Sequence, residues 1–261
     1  MICGLTGLAV IGAALPKALE AEARQAIHIW LPPAAGRGPR REGLVAHRDL
    51  AVPTPWISSG RPTRIANPVY CWAQVTRELT TSHPWSRDHE RAPTPRGLFL
   101  DPGKRRFLEA VQIGDGLMRR QAPLVDESAF DDVIAGFGRR PGVRAIREVA
   151  NQVRARTDSL TETWARLIVW DAGFPAPQVN YEVKVARRSR FLDLAWPEPK
   201  IALEFQGRQH FDDPTEAFKD FQRRGQLGAL GWLIVEAAYG DLNSPESLIQ
   251  RLAAAFAARV K

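Results

Sequence analysis

Cysteine is scarce in this chain, since only Cys3 and Cys71 occur among its 261 residues. Two cysteines this far apart exclude a disulfide framework and a cysteine-based zinc site, so a reducing, cytoplasmic environment is expected. Long apolar runs are missing too. Residues 2–15 are apolar, but the run is too short to span a bilayer and no basic segment precedes it. We therefore predict a buried helix and no membrane association, although the abrupt apolar start suggests that a longer ancestral N-terminus was lost.

Lysine is rare compared with arginine, at 6 of the 36 Lys and Arg. The net charge of +7 and the pI near 9.9 favour polyanionic partners. The charge is uneven, because residues 1–150 hold 21 Lys and Arg against 15 Asp and Glu, whereas residues 151–261 hold 15 against 14. Coding bias explains an excess of arginine equally well, so both interpretations stay open. With 44% apolar and 25% charged residues, the composition is that of a globular protein.

The front half divides into two regions. Residues 1–80 predict a mixed α+β accessory region, with short strands and one helix at 26–31, 44–50, 56–65 and 68–79. Residues 81–156 predict a loop rich in Pro, Arg and Ser, followed by basic helices at 106–120, 127–137 and 143–153. Arginines in the loop at 36–41 and around the last helix are either phosphate contacts or solvated side chains.

The back half, residues 157–261, predicts the order α-β-β-β-α-β. The boundary with the front half lies near residues 154–158. Ser159 opens the first helix, and Gly173 ends it. The predicted elements are a helix to 171, strands at 178–185, 191–196 and 200–206, a helix at 215–230, a strand at 233–236 and a terminal helix at 244–261.

The pattern D-x10-E-x-Q, formed by Asp193, Glu204 and Gln206, is the most informative feature of the chain. Residues 197–199 (Pro-Glu-Pro) predict a hairpin turn that brings Asp193 almost opposite Glu204, within roughly 5 Å. Two carboxylates that close repel by about 3 kcal/mol at an effective dielectric near 20. Such a pair must bind a cation, share a proton or admit water. Because both acids lie in otherwise apolar strands, we favour a cation site over exposed acids on an outer sheet face.

With these residues, the back half resembles the PD-(D/E)XK nuclease superfamily. Within it, the chain is similar to bacterial proteins of unknown function that are related to the very-short-patch-repair endonucleases. The motifs that carry the resemblance are S-x-x-E at 159–162, D-L-A-W-P-E at 193–198, A-L-E-F-Q-G-R-Q-H at 202–210, and Asp220 and Arg223 ahead of Leu227 and Gly231-Trp232. The front half more loosely resembles the N-terminal part of abortive-infection antitoxin-like proteins, without the winged helix-turn-helix common there.

The resemblance implies a restriction-endonuclease-like core that binds Mg²⁺ or Mn²⁺ through Asp193 and Glu204 and hydrolyses phosphodiester bonds in DNA. Gln206 then takes the place of the lysine that orients the attacking water. Glu162 would reach the metal through water, and His210 would donate or accept a proton. The same resemblance leaves open a non-catalytic DNA-binding or antitoxin-like regulator, with a protein partner, that retains the nuclease scaffold.

Simpler interpretations exist for several of these residues. Ser159 and Glu162 also form a capping box, and Asp220 with Arg223 predicts an i,i+3 ion pair on a helix surface. Gln206 cannot supply the positive charge of a lysine. Glu236 stands where relatives place an arginine, which makes the groove less attractive to phosphate. RNA is not distinguished from DNA as the substrate, and the oligomeric state stays open.

Overall fold

The computed structural model describes residues 1–32, 34–35, 41–48, 52–58, 61–82, 102–185, 188–206 and 214–259. They form two compact units that divide between Arg156 and Thr157. Both contain helices and sheets, so the protein is a mixed α/β protein. Within the described ranges, no helix combines the length and apolar composition needed to cross a bilayer.

The first unit joins small sheets to a group of helices. Its elements are α1 (Gly4–Val10), α2 (Lys17–Ala23), β1 (Ile27–Trp30), β2 (Leu44–His47), β3 (Pro55–Ser58), β4 (Arg61–Ala66), α3 (Pro68–Ser82), α4 (Pro102–Leu117), α5 (Ser128–Phe137) and α6 (Val143–Ala150). Strands β1 and β2 are parallel, whereas β3 and β4 are antiparallel.

Helix α3 is the centre of the first unit, because it packs against α1, α4, α5 and α6. Its Trp72 is fully buried, donates its indole N–H to the Ala110 carbonyl at 2.8 Å, and meets the Phe130 ring edge-on at 4.9 Å. Gly114 lies close to this tryptophan, and a Cβ there would come within 2.5 Å of Val153. The described parts of regions 1–80 and 81–156 therefore share one core.

Three predicted elements of the first unit differ from the structure. The helix predicted at 2–15 is limited to α1, because Gly12 takes a left-handed φ of +76°, and α2 begins only after Pro16. The strand predicted at 56–65 is the β3–β4 hairpin. Helix α4 begins at Pro102, inside the predicted loop at 81–105, of which residues 83–101 lie outside the described part. The basic loop at 36–41 is described only at Arg41.

The second unit follows the predicted element order. Its elements are α7 (Leu160–Asp171), β5 (Gln178–Val185), β6 (Arg188–Trp196), β7 (Ile201–Gln206), α8 (Pro214–Ala229), β8 (Leu233–Ala238), α9 (Tyr239–Asn243) and α10 (Glu246–Ala257). The four strands form one sheet in the order β5-β6-β7-β8, antiparallel except for the parallel pair β7 and β8. The helix predicted at 244–261 is α10, preceded by the separate helix α9.

The two faces of this sheet are covered by different helices. Leu194, Ile201 and Leu203 pack in a core with apolar residues of α7 and α10. Ala195 and Ala202 pack on the opposite face with Leu227 of α8. Side chains alternate along β7, so Leu203 and Phe205 share one face with Ile201, whereas Glu204 shares the other face with Ala202. This alternation also places Glu204 under α8, and not on an open outer face.

Candidate functional site

Asp193 and Glu204 lie on neighbouring strands, each one residue beyond the last paired position. The pairing of β6 with β7 runs from Trp196 and Ile201 to Leu194 and Leu203, and Asp193 and Glu204 come next on their strands. The turn between the strands is closed by a hydrogen bond from the Lys200 amide to the Pro197 carbonyl at 3.2 Å. The hairpin predicted around residues 197–199 is therefore present, and it brings the two acids together.

A third carboxylate extends this pair across the sheet. Glu204 of β7 is in register with Glu236 of the parallel strand β8. Side chains in register on neighbouring strands project from the same face. Glu204 and Glu236 therefore project from the same face, and Glu204 lies near enough to Asp193 to raise its pKa. We call Asp193, Glu204 and Glu236, on β6, β7 and β8, the carboxylate row. Sequence reasoning considered Glu236 only as a departure from the family pattern and missed this alignment.

Two consecutive arginines of α8 contact the carboxylate row. Arg223 forms an ion pair with Oε2 of Glu204, and Nη1 of Arg224 lies 2.8 Å from Oε1 of Glu236. The sequence predicted a surface pair between Arg223 and Asp220. The side chain of Asp220 lies outside the described part of the chain, while Arg223 turns inward to a buried glutamate. Arg223 thus has a partner that the sequence did not predict, and its predicted pair with Asp220 stays a prediction.

Glu204 is nearly inaccessible to solvent, with 3% of its surface exposed. Only one of its two oxygens is compensated by a described group, because Oε1 has no hydrogen-bond partner there. A buried, unpaired oxygen of a carboxylate is costly, and it marks a place where a further donor or a cation would be stabilising.

Asp193 reaches across to the backbone of β7, where its Oδ2 accepts a hydrogen bond from the Phe205 amide at 2.8 Å. Burial raises the pKa of Asp193 to about 7, and the nearby carboxylates of Glu162 and Glu204 act in the same direction. The Phe205 amide and Arg223 oppose this rise without cancelling it. Asp193 is thus poised between its protonated and ionised forms near neutral pH.

Glu162 is held at the start of α7 by three hydrogen bonds. Its Oε1 accepts from the Ser159 hydroxyl at 2.9 Å, and its Oε2 accepts from the Asp158 amide at 3.0 Å and from Nδ2 of Asn180 at 3.1 Å. Ser159 caps the helix by accepting the Glu162 amide at 3.2 Å. The capping box was expected to return a bond to the Ser159 amide, but that bond goes to Asp158. Burial raises the pKa of Glu162 despite these donors.

Asn180 links Glu162 to the carboxylate row and was missed by sequence reasoning. Val179 pairs with Leu194 and Tyr181 with Leu192, which places Asn180 across from Asp193. Apolar Val179, Tyr181 and Val183 alternate with polar residues in the sequence, a pattern that is typical of an outward side chain at Asn180. Instead, Asn180 is 3% exposed and takes a left-handed φ of +47°, a conformation that asparagine tolerates better than most residues. The asparagine in an otherwise regular strand was the available signal.

Gln206 and His210 differ in what the structure describes. Gln206 is half-buried, and its Nε2 lies 3.5 Å from Oε1 of Glu236, so its amide is directed along the sheet toward β8. His210 lies in the segment 207–213, outside the described residues. The roles predicted for both residues therefore stay predictions.

The donor set fits a hard divalent cation that keeps much of its water. In the ranges described above, no three His, Cys, Asp or Glu side chains are grouped so that they could hold a metal ion. Mg²⁺, however, is commonly bound through one or two protein carboxylates, with waters and substrate phosphate completing its coordination. The uncompensated Oε1 of Glu204 and the nearby carboxylate of Asp193 are the oxygens that such a site would use.

Comparison with known proteins leaves the identity of the chain open. No protein-family model matches the sequence, and no solved structure matches it. The chain is 30% identical over 128 residues to the uncharacterized protein MT2308 of Mycobacterium tuberculosis (strain CDC 1551 / Oshkosh) and, equally, to the uncharacterized protein Rv2248 of strain ATCC 25618 / H37Rv. The match covers 48% of this chain and 47% of each relative, so the chain spans about half the length of these relatives.

Proposed function

We propose that the second unit has a restriction-endonuclease-like core that binds Mg²⁺ or Mn²⁺ and hydrolyses phosphodiester bonds in DNA. The observation that carries the proposal is the proximity of Asp193 and Glu204 on neighbouring strands, with Glu204 buried and one of its oxygens left uncompensated. The order α7-β5-β6-β7-α8-β8 supports it, because the PD-(D/E)XK resemblance requires that order.

Each residue of the site then has a defined part. Asp193 and Glu204 would hold the cation, which supplies an activated water and charge relief on a phosphate oxygen. Glu162, fixed by Ser159 and Asn180, positions one more carboxylate beside Asp193. Gln206 can orient water through its amide but cannot add positive charge.

DNA is the proposed polyanion because the front half carries the net positive charge. Part of the arginine set around α6 has local tasks. Arg140 donates to the carbonyls of Gly136 and Phe137, both at 3.1 Å, and Arg144 pairs with Glu148 at 3.0 Å. The sequence interpretation of these arginines as a phosphate-binding face is therefore weaker than their number suggests.

A second candidate function is a non-catalytic DNA-binding or antitoxin-like regulator. It is favoured by the contacts that already engage the site. Arg223 neutralises Glu204, and the amide of Gln206, which stands in the position of the family's lysine, is directed to Glu236. A nuclease scaffold in which internal ion pairs replace metal and lysine would show this pattern.

Plasmid nicking and cation binding by the same protein samples separate the two functions. We expect the wild type to nick DNA with Mg²⁺ or Mn²⁺ and Glu204→Ala to lose that activity. Glu198→Ala is the matched control, because Glu198 is an exposed glutamate in the turn of the same hairpin. Salt-dependent DNA binding without nicking in any protein would favour the regulator. Cation binding unchanged in both Asp193→Ala and Glu204→Ala would refute the metal site.

A further inference from the structure

Arg223 forms an ion pair with one carboxylate oxygen of Glu204, and the proposed function assigns Glu204 to the metal. The side chain of Glu204 is 4% exposed, whereas that of Arg223 is 28% exposed. Glu204 is fixed within the sheet, and Arg223 projects from α8 with part of its side chain in contact with solvent. Arg223 is therefore the partner that can leave the ion pair more easily, because its side chain is already partly exposed to solvent.

A divalent cation between Asp193 and Glu204 would lie next to the Arg223 guanidinium. The guanidinium keeps its charge at all physiological pH values. Two such positive groups within about 5 Å of each other repel strongly even at an effective dielectric near 20. Both therefore compete for the negative charge of Glu204, and full occupancy by one disfavours the other.

We propose that Arg223 is an exchangeable counterion of the site, which neutralises Glu204 in the cation-free protein and leaves it when a divalent cation binds. The inference rests on the proposed function, and it makes Arg223 a positioning residue that acts through Glu204. Once displaced from Glu204, the guanidinium stands beside the cation, and its planar set of donors suits the recognition of a phosphate group. Cation binding would thus prepare the site for a phosphodiester.

The neighbouring residue Arg224 provides a matched control. It carries the same charge on the same helix but pairs with Glu236, which is not one of the proposed cation ligands. Arg223→Gln and Arg224→Gln therefore remove the same charge from the same region. Only Arg223→Gln removes the group that competes with the cation for Glu204. The difference in cation affinity between the two variants therefore reports this competition, separately from the general loss of one positive charge.

The test is a titration of each protein with Mn²⁺ alone, followed by electron paramagnetic resonance of the free ion. We expect Arg223→Gln to bind Mn²⁺ about tenfold more tightly than Arg224→Gln, the scale of one charge-assisted ion pair. Arg223→Lys should lie between the wild type and Arg223→Gln, because it keeps a charge without the bidentate geometry. If Arg223→Gln folds poorly, Mn²⁺ should raise its melting temperature more than that of the wild type, since the cation replaces the missing partner of Glu204.

The possible failures are distinguishable. Equal Mn²⁺ affinity of Arg223→Gln and Arg224→Gln, with wild-type binding that Asp193→Asn abolishes, would overturn the exchange and leave the metal site intact. Weaker binding by Arg223→Gln than by Arg224→Gln would overturn it as well. Absence of Mn²⁺ binding from every protein, Arg223→Gln included, would overturn both the exchange and the proposed metal-dependent function.

Discussion

Both units bury ionisable side chains between a sheet and a helix, but they compensate them differently. In the first unit, Nδ1 of His47 lies 3.1 Å from Oε1 of Glu78, and Nε2 of His47 lies 3.0 Å from Nδ1 of His28. One neutral arrangement satisfies this chain: His28 donates to His47, and His47 donates to Glu78. In the second unit, Asp193, Glu162 and Glu204 place like charges near one another, and an oxygen of Glu204 has no described partner.

This difference separates a structural polar network from a candidate site. Each contact in the histidine chain joins a donor to an acceptor, which ties β1, β2 and α3 together at little electrostatic cost. The carboxylates of the second unit gain no such mutual bonds, and they persist beside one another although an apolar pair would stabilise the fold more. A group of carboxylates whose charge is only partly compensated is thus the feature that makes the second unit the place of the candidate site.

Breaking the histidine chain is expected to have the largest effect on stability. His28 is 6% exposed, so His28→Ala leaves a cavity and removes the donor to the buried ring of His47. We expect the unfolding free energy of the first unit to fall by about 3–4 kcal/mol. Glu78→Gln should cost less, because it keeps an oxygen acceptor on a side chain that is 35% exposed.

Hydrogen exchange measured peptide by peptide reads the stability of each unit separately. The loss should be confined to peptides of β1, β2 and α3, while Mn²⁺ affinity stays at the wild-type value. An unchanged protection in these peptides would mean that the histidine chain adds no net stability. The contrast between the two units would then have no energetic basis.

The two units are also expected to respond to pH in opposite directions. Burial and the nearby His47 lower the pKa of His28 from 6.5. At His28, the unfolded chain therefore binds a proton that the folded unit does not bind. The first unit thus loses stability as the pH falls below about 6.5. For Asp193 the pKa rises from 3.8 to about 7. Here the folded state holds the extra proton, so the second unit loses stability as the pH rises from about 4 to about 7.

The variant Asp193→Asn tests the predicted loss of stability of the second unit as the pH rises. Asparagine keeps an oxygen that can accept the Phe205 amide but carries no charge. In metal-free buffer, the variant should exceed the wild type in stability by about 1–3 kcal/mol at pH 8, and by less at pH 5. Urea unfolding at both pH values measures the difference. An advantage that is equal at pH 5 and pH 8 would show that Asp193 is ionised throughout, and the predicted electrostatic strain would be absent.

The local part of this site was predictable from sequence, and the long-range part was not. Pro197-Glu198-Pro199 predicted the hairpin that brings Asp193 and Glu204 onto neighbouring strands just beyond the paired positions, because hairpin pairing is set by the turn. The inward contact of Arg223 depends on how α8 lies on the sheet, which no spacing along the chain determines. The pairing of His28 with His47 likewise depends on a parallel contact between strands separated by a long connection. The burial of Asn180 was not predicted, because its left-handed φ interrupts the alternation of apolar and polar residues on which predicted exposure depends.

The smallest effect is expected at the exposed end of the carboxylate row. Arg224 and Glu236 are 45% and 39% exposed, and an exposed ion pair contributes about 0–1 kcal/mol. Glu236→Gln also removes a like charge beside Glu204, which offsets part of that loss. We expect its unfolding free energy to differ from the wild type by less than about 0.5 kcal/mol, and even less at high salt. A change above about 1 kcal/mol in urea unfolding, or a loss of Mn²⁺ affinity like that of Glu204→Ala, would mean that Glu236 belongs to the site. The candidate site would then comprise the whole carboxylate row, because the exposed Glu236 would share the electrostatic repulsion that acts on Asp193 and Glu204.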